Sequence, residues 1–211
     1  MNDPVPARRF FLKCLAVGPM QANCYIIADI GTKDACLIDP GGDHEKIEKI
    51  LRRDEFKLNF IINSHGHGDH IAANGRFHVP IYIHYLEKEF LTNPEKNLSK
   101  FFFFGITSPT ASKLLDDGDT VRLGNLTLEI IHTPGHTPGS ISIKLENVIF
   151  TGDALFRGSI GRTDFAYGDE KLLMDSIKNK LLTLPDDTTI YPGHGEESTI
   201  GEEKKDNPFF S

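Results

Sequence analysis

Cysteine is scarce in this 211-residue chain, with Cys14, Cys24 and Cys36 the full set. An odd number with no paired metal-ligand spacing excludes a disulfide framework and a thiolate zinc site, and leaves reduced core residues. No apolar run approaches the ~18 residues of a membrane helix, and Phe10-Phe11-Leu12 is broken at once by Lys13. With no secretory leader legible either, the expectation is a cytoplasmic protein without a membrane partner. No Gly/Ser linker or low-complexity tract divides the chain, so residues 1–211 read as one domain. Base is not in excess: the formal charge is −7 with histidines neutral, which argues against a nucleic-acid partner. Bound cations would reverse the field locally, so an anionic small molecule stays compatible with the acidic total.

What the chain has instead is histidine in a tight cluster, Ser64-His65-Gly66-His67-Gly68-Asp69-His70. His65 and His67 alternate and can reach one metal from an extended loop, whereas the adjacent Asp69 and His70 point elsewhere and suit a second metal beside it. The pattern implies a dinuclear centre. Phe60-Ile61-Ile62 reads as a buried strand before the cluster, and Ile71-Ala72-Ala73 as the first turn of a helix after it. Three further ligand candidates follow probable-strand patterns. His136 lies in Thr133-Pro134-Gly135-His136-Thr137-Pro138-Gly139, a turn expected to leave the imidazole exposed. Asp153 follows Val148-Ile149-Phe150, where a carboxylate needs a partner to offset desolvation, and a bridging position between two cations supplies one. His194 ends Tyr191-Pro192-Gly193-His194.

Elsewhere, Asp43 to Arg53 reads as a helix started by Asp43, with Ile47, Ile50 and Leu51 on one face. Asp169 to Leu182 repeats this arrangement with Leu173, Ile177 and Leu181 spaced by four, and Gly124-Asn125 is a two-residue hairpin signal. Strands dominate the first and middle parts and helices are expected after each ligand-bearing strand, which gives a mixed α/β fold with layered sheets.

These motifs, in this order, resemble the metallo-β-lactamase superfamily, in particular its glyoxalase II-like branch, the hydroxyacylglutathione hydrolases. The resemblance also includes Gly18-Pro19-Met20-Gln21-Ala22-Asn23-Cys24-Tyr25 and Ile38-Asp39-Pro40-Gly41-Gly42, and so covers nearly the whole chain. It implies an αββα sandwich, two mixed β-sheets packed face to face with helices outside. It also implies one metal on His65, His67 and His136, a second on Asp69, His70 and His194, and Asp153 between them. Zinc is the expected divalent ion, with iron or manganese suited to the same ligands. Asp69 and Asp153 are then the catalytic carboxylates.

Two cations sharing a water bring hydroxide within reach at neutral pH and polarise a carbonyl, the chemistry of acyl hydrolysis. The resemblance narrows the substrate to a small-molecule thioester such as S-lactoylglutathione. Only 17 residues follow His194, so the helical C-terminal domain of full-length glyoxalase II is expected to be missing. Arg162, in Gly161-Arg162-Thr163-Asp164-Phe165, is either a clamp for a substrate carboxylate or an ion-pair partner of Asp164. That same segment resembles the persulfide dioxygenases, which hold one iron on two histidines and an aspartate, here His65, His136 and Asp153. Hydrolysis of another ester or a lactone, and a non-enzymatic scaffold, are the other readings. Asp39 either forms a turn or orients a ligand imidazole. Phenylalanines 101–104 are expected in the core or in a homodimer contact. His44, His78, His84 and His132 fall outside the ligand pattern.

Overall fold

A computed structural model describes residues 9–102 and 105–210. The first half of the chain forms a six-stranded mixed sheet in sequence order: β1 (Phe10–Val17), β2 (Ala22–Asp29), β3 (Asp34–Ile38), β4 (Lys57–Ile62), β5 (Ile81–His84) and β6 (Lys113–Leu115). Strands β1 to β3 pair antiparallel, and β3 to β6 parallel. The parallel pairs need crossovers, and helix α1 (His44–Arg53) supplies the one between β3 and β4. The second sheet starts with β7 (Thr120–Leu123), β8 (Leu126–His132), β9 (Ile141–Leu145) and β10 (Val148–Gly152), an antiparallel meander whose first turn is Gly124-Asn125. A small hairpin, β11 (Leu155–Phe156) with β12 (Ser159–Ile160), precedes β13 (Thr189–Pro192), which joins β10 in parallel; β14 (Ser198–Thr199) closes the edge.

The period of two along each strand sorts side chains into layers. On β2, Tyr25 and Ile27 face the other sheet, where they pack with Ile62, Ile143 and Phe150. Cys24, Ile26 and Ala28 face outward into the layer closed by Ile47 and Leu51 of α1. On β10 the split repeats, with Val148 and Phe150 inward and Ile149 outward. That outward layer is covered by Leu173 of α4 (Glu170–Ser176), by Ile177 and Leu181 just beyond it, and by Ile200 of α5 (Ile200–Asp206). The architecture is an αββα sandwich. Burial of both faces is why the central strands read as continuous apolar runs. It also explains Ser142, fully buried in β9 and hydrogen-bonded to Thr133 Oγ1 at 3.0 Å. Among the described residues no helix is long and apolar enough to cross a membrane.

Several local expectations are corrected. Leu173, Ile177 and Leu181 recur at four residues, wider than the α-helical 3.6, and a π-helical stretch Ile177–Leu181 keeps all three on the buried side. Asp43 stands at the start of α1 but in left-handed backbone (φ 48°), and its carboxylate accepts from Gly18 N at 2.9 Å and pairs with Lys46 Nζ at 2.8 Å, not with a helix backbone N–H. Helix α2 (Gly68–Ile71) begins inside the histidine cluster and ends where it was expected to start; Ala73 N is drawn to Pro40 O instead. Only β4 leads straight from ligands into a helix, since β8 runs on to β9 and β10 to β11. Cys24 and Cys36 are core residues, but Cys14 is exposed on an edge strand. Phe101, in the short helix α3 (Ser99–Phe102), is 70% exposed and so not part of the core, while Phe103 and Phe104 lie outside the described residues.

Candidate metal centre

The candidate ligands come from loops at the ends of strands in both sheets. The cluster at 65–70 follows β4, His136 follows β8, Asp153 follows β10 and His194 follows β13. The sandwich brings these ends to one edge. His67 Nδ1 lies 3.1 Å from His65 Nε2 and 2.9 Å from His136 Nε2. Asp69, His70 and His194 form a second group, with His194 Nε2 3.2 Å from Asp69 Oδ2 and 3.3 Å from His70 Nε2. Within each group the ligand atoms lie no more than 4.8 Å apart. Asp153 reaches both groups, with Oδ2 3.7 Å from His136 Nε2 and from His194 Nε2, and Oδ1 3.5 Å from His70 Nε2.

Neighbouring groups orient three of the rings. His136 Nδ1 donates to Arg162 O at 2.7 Å, which aims Nε2 inward. His70 Nδ1 is 3.1 Å from Asp39 Oδ2, a contact that turns its Nε2 towards the second group. Ser64 Oγ donates to Asp39 Oδ2 at 2.6 Å and so can accept from His65 Nδ1 at 3.0 Å. Asp39, 1% exposed and itself in left-handed backbone (φ 51°), therefore orients ligand imidazoles as well as forming its turn. Ser64 was not anticipated, because a serine carries no ligand signal in sequence. The N-terminal motif also gains a role. Asn23 Nδ2 donates to Pro192 O and Gly195 O, and Tyr25 Oη to Pro192 O, so β2 of the first sheet braces the His194 loop of the second.

This donor set fits divalent cations. Asp153 Oδ1 is buried without a hydrogen-bond partner, a costly state for a carboxylate unless a cation meets it. His136 is buried, not exposed as its turn suggested, because Arg162 and the Gly161 segment close over it. A cavity of about 320 Å³ opens onto both groups. Its apolar walls are Met20 and Phe165, which lie in segments that carry the family resemblance, and Leu98 and Phe156, which had no signal in sequence beyond hydrophobicity. Arg162 also lines it, but binds Asp164 bidentately at 2.9 and 2.8 Å and lies 4.2 Å over the Phe165 ring. His84 and His132 stack on each other 4.2 Å apart and belong to neither ligand group, nor do His44 and His78.

The sequence signature of the metallo-beta-lactamase superfamily matches residues 17–194. Hydroxyacylglutathione hydrolase GloC of Haemophilus influenzae is 38% identical over 214 residues, covering 95% of this chain and 98% of its own. Among solved structures, BLEG-1 B3 metallo-beta-lactamase superposes with a TM-score of 0.91 at 40% identity, over 95% of this chain and 100% of that one. TTHA1623 in a di-iron-bound form superposes with a TM-score of 0.82 at 32% identity, over 93% and 99% of the two chains.

Proposed function

Because the chain belongs to the metallo-β-lactamase superfamily, we propose that it is a dinuclear metallo-hydrolase acting on a thioester such as S-lactoylglutathione. The observation that carries this reading is that both ligand groups, with Asp153 between them, face one cavity. Likeness to GloC over nearly the full length of both chains supports the thioester. His65, His67 and His136 would hold one cation, and Asp69, His70 and His194 the other, with Asp153 shared. Zinc is the metal we expect, and iron or manganese suits the same donors. When bound, the two cations supply Lewis-acid polarisation of the scissile carbonyl and bring the pKa of water towards neutrality.

The chain's own groups do the rest. Burial by itself raises the Asp69 carboxyl, but the His70, His194 and His67 imidazoles outweigh it and hold Asp69 below the usual carboxylate range. Asp69 is therefore an anion beside the cavity, a weaker base than an ordinary carboxylate and suited to meeting a cation. Leu98, Phe156 and Phe165 exclude water around the reacting carbonyl and seat the apolar part of the acyl or thiol group. Arg162 is the cation available to a substrate carboxylate, in competition with Asp164. The substrate, like the homodimer expectation and the cytoplasmic location, belongs to this proposal.

The test is metal analysis of protein purified without added metal, joined to kinetics on thioesters and lactones and to oxygen uptake with glutathione persulfide. Two equivalents and thioester cleavage are expected. One iron, rapid oxygen uptake and no thioester cleavage would transfer the assignment to a mononuclear dioxygenase using His65, His136 and Asp153.

A further inference from the structure

Glu87 is fully buried and had no place among the sequence candidates. It sits in the 3-10 turn Tyr85–Glu87 that follows β5, and each of its carboxylate oxygens faces a different loop. Oε2 accepts from Gly66 N at 2.9 Å, between the two ligands of the first loop. Oε1 accepts from Gly139 N at 2.9 Å, in the loop of His136. These loops leave different sheets, so no single ladder of strand hydrogen bonds sets the distance between them. Ile141 N also donates to Ser64 O at 2.8 Å, just outside the ligand-bearing turns, and the His67 and His136 rings meet at 2.9 Å, but of these contacts only those of Glu87 hold the backbone within both turns.

The packing shows a fitted contact. A Cβ on Gly66 would lie 2.3 Å from Phe90 Cβ and 3.0 Å from Glu87 Oε2, and one on Gly139 would lie 2.7 Å from Glu87 Cγ and 2.8 Å from His84 Nδ1. Both positions need a residue without a side chain so that the carboxylate can reach the backbone. Burial pushes the Glu87 carboxyl up, and the opposing influences are the Gly139 N–H, the Thr137 side chain and the Gly66 N–H, with no cation among them. A buried carboxylate held only by donors from ligand-bearing loops is an expensive arrangement unless it fixes those loops.

We propose that Glu87 is a positioning residue that clamps the His65/His67 loop to the His136 loop and so sets the geometry of the all-imidazole half of the metal centre. Its two hydrogen bonds tie the loops together through the protein's own backbone. The inference rests on the dinuclear reading above.

Glu87→Gln tests it, since glutamine keeps the volume and one acceptor oxygen but turns an amide N–H₂ against the other backbone N–H. Zinc affinity is measured by chelator competition in two backgrounds, His194→Ala, which leaves the first half, and His136→Ala, which leaves the second. We expect a loss of about 10-fold or more in the first background and less than about 2-fold in the second. Equal losses in both, or none in either, would overturn the clamp, because a general destabilisation does not choose between halves. Should the variant fail to fold, amide hydrogen exchange of the metal-free wild type decides. Gly66 and Gly139 amides exchanging as slowly as those of β4 support the clamp, and exchange at free-loop rates refutes it. Two zinc equivalents in the wild type with an unchanged Glu87→Gln would sink the clamp alone, whereas no zinc uptake by the wild type would sink the dinuclear reading with it.

Discussion

In the half of the centre made by His65, His67 and His136, burial and neighbouring imidazoles push His65 and His67 well below their usual pKa, whereas in the half made by Asp69, His70 and His194 the balance reverses. Burial works against protonation of His70 too, but Asp69, Asp153 and Asp39 outweigh it and raise the imidazole to about 10. His194, which remains part-exposed, is raised by Asp69 and Asp153 against the same burial penalty. The first group is dry and made of imidazoles alone, whereas the second includes the Asp69 carboxylate and a part-exposed His194. In the proposed dinuclear enzyme the difference would give the halves separate tasks, the first suited to holding a cation and the second lying where water from the cavity can reach it.

Asp153 lies within 3.7 Å of imidazoles from both halves, so its removal is the largest way to break the comparison. Asp153→Ala is expected to lower metal content at both positions and to reduce turnover by at least about 10³-fold. Metal analysis beside single-turnover kinetics checks this, and loss of one equivalent alone would mean that Asp153 serves one half. Next in size, Asp69→Ala or His194→Ala should empty the second half and spare the first, with turnover down about 10²-fold. Wild-type turnover at one bound equivalent would erase the proposed division of labour.

The smallest effect sharpens the comparison at the cavity mouth. Arg162 and Asp164 are each about two-thirds exposed, so solvent screens their pair and a substrate carboxylate can compete for the guanidinium. Arg162→Ala should raise KM for S-lactoylglutathione by about 3-fold and Asp164→Asn should lower it by a similar factor, with kcat little changed in both. Equal KM values across wild type and both variants would remove this pair from substrate binding and leave recognition to the apolar walls.

Much of the site was legible because ligand chemistry needs particular residue types. Histidines at 65, 67 and 70, with Asp69 among them, announce themselves by density, and Asp153 by ending an apolar strand. Glu87 and Ser64 could not be read the same way, since a lone glutamate or serine in a turn is ordinary until its neighbours are known. Arg162 carried two readings in sequence, clamp or ion pair. The structure forms the pair, and adds a backbone duty, accepting from His136 Nδ1, that no side-chain pattern encodes.

The fold shows the same division. Strands β4, β9 and β10 and the Gly124-Asn125 hairpin follow from local hydrophobic period and turn chemistry, which act over a few residues and are written in the chain. The π-helical end of α4, the early start of α2, the burial of His136 and the exposure of Phe101 depend on what packs against each segment. By itself, the sequence determined which side chains could bind metal and the αββα arrangement that its motifs resemble. Only the tertiary structure decided how far apart the ligand atoms lie and which carboxylate backs each loop. The reason is that those relations are distances between the ends of strands in two different sheets, and such distances are set by packing across the core, not by spacing along the chain.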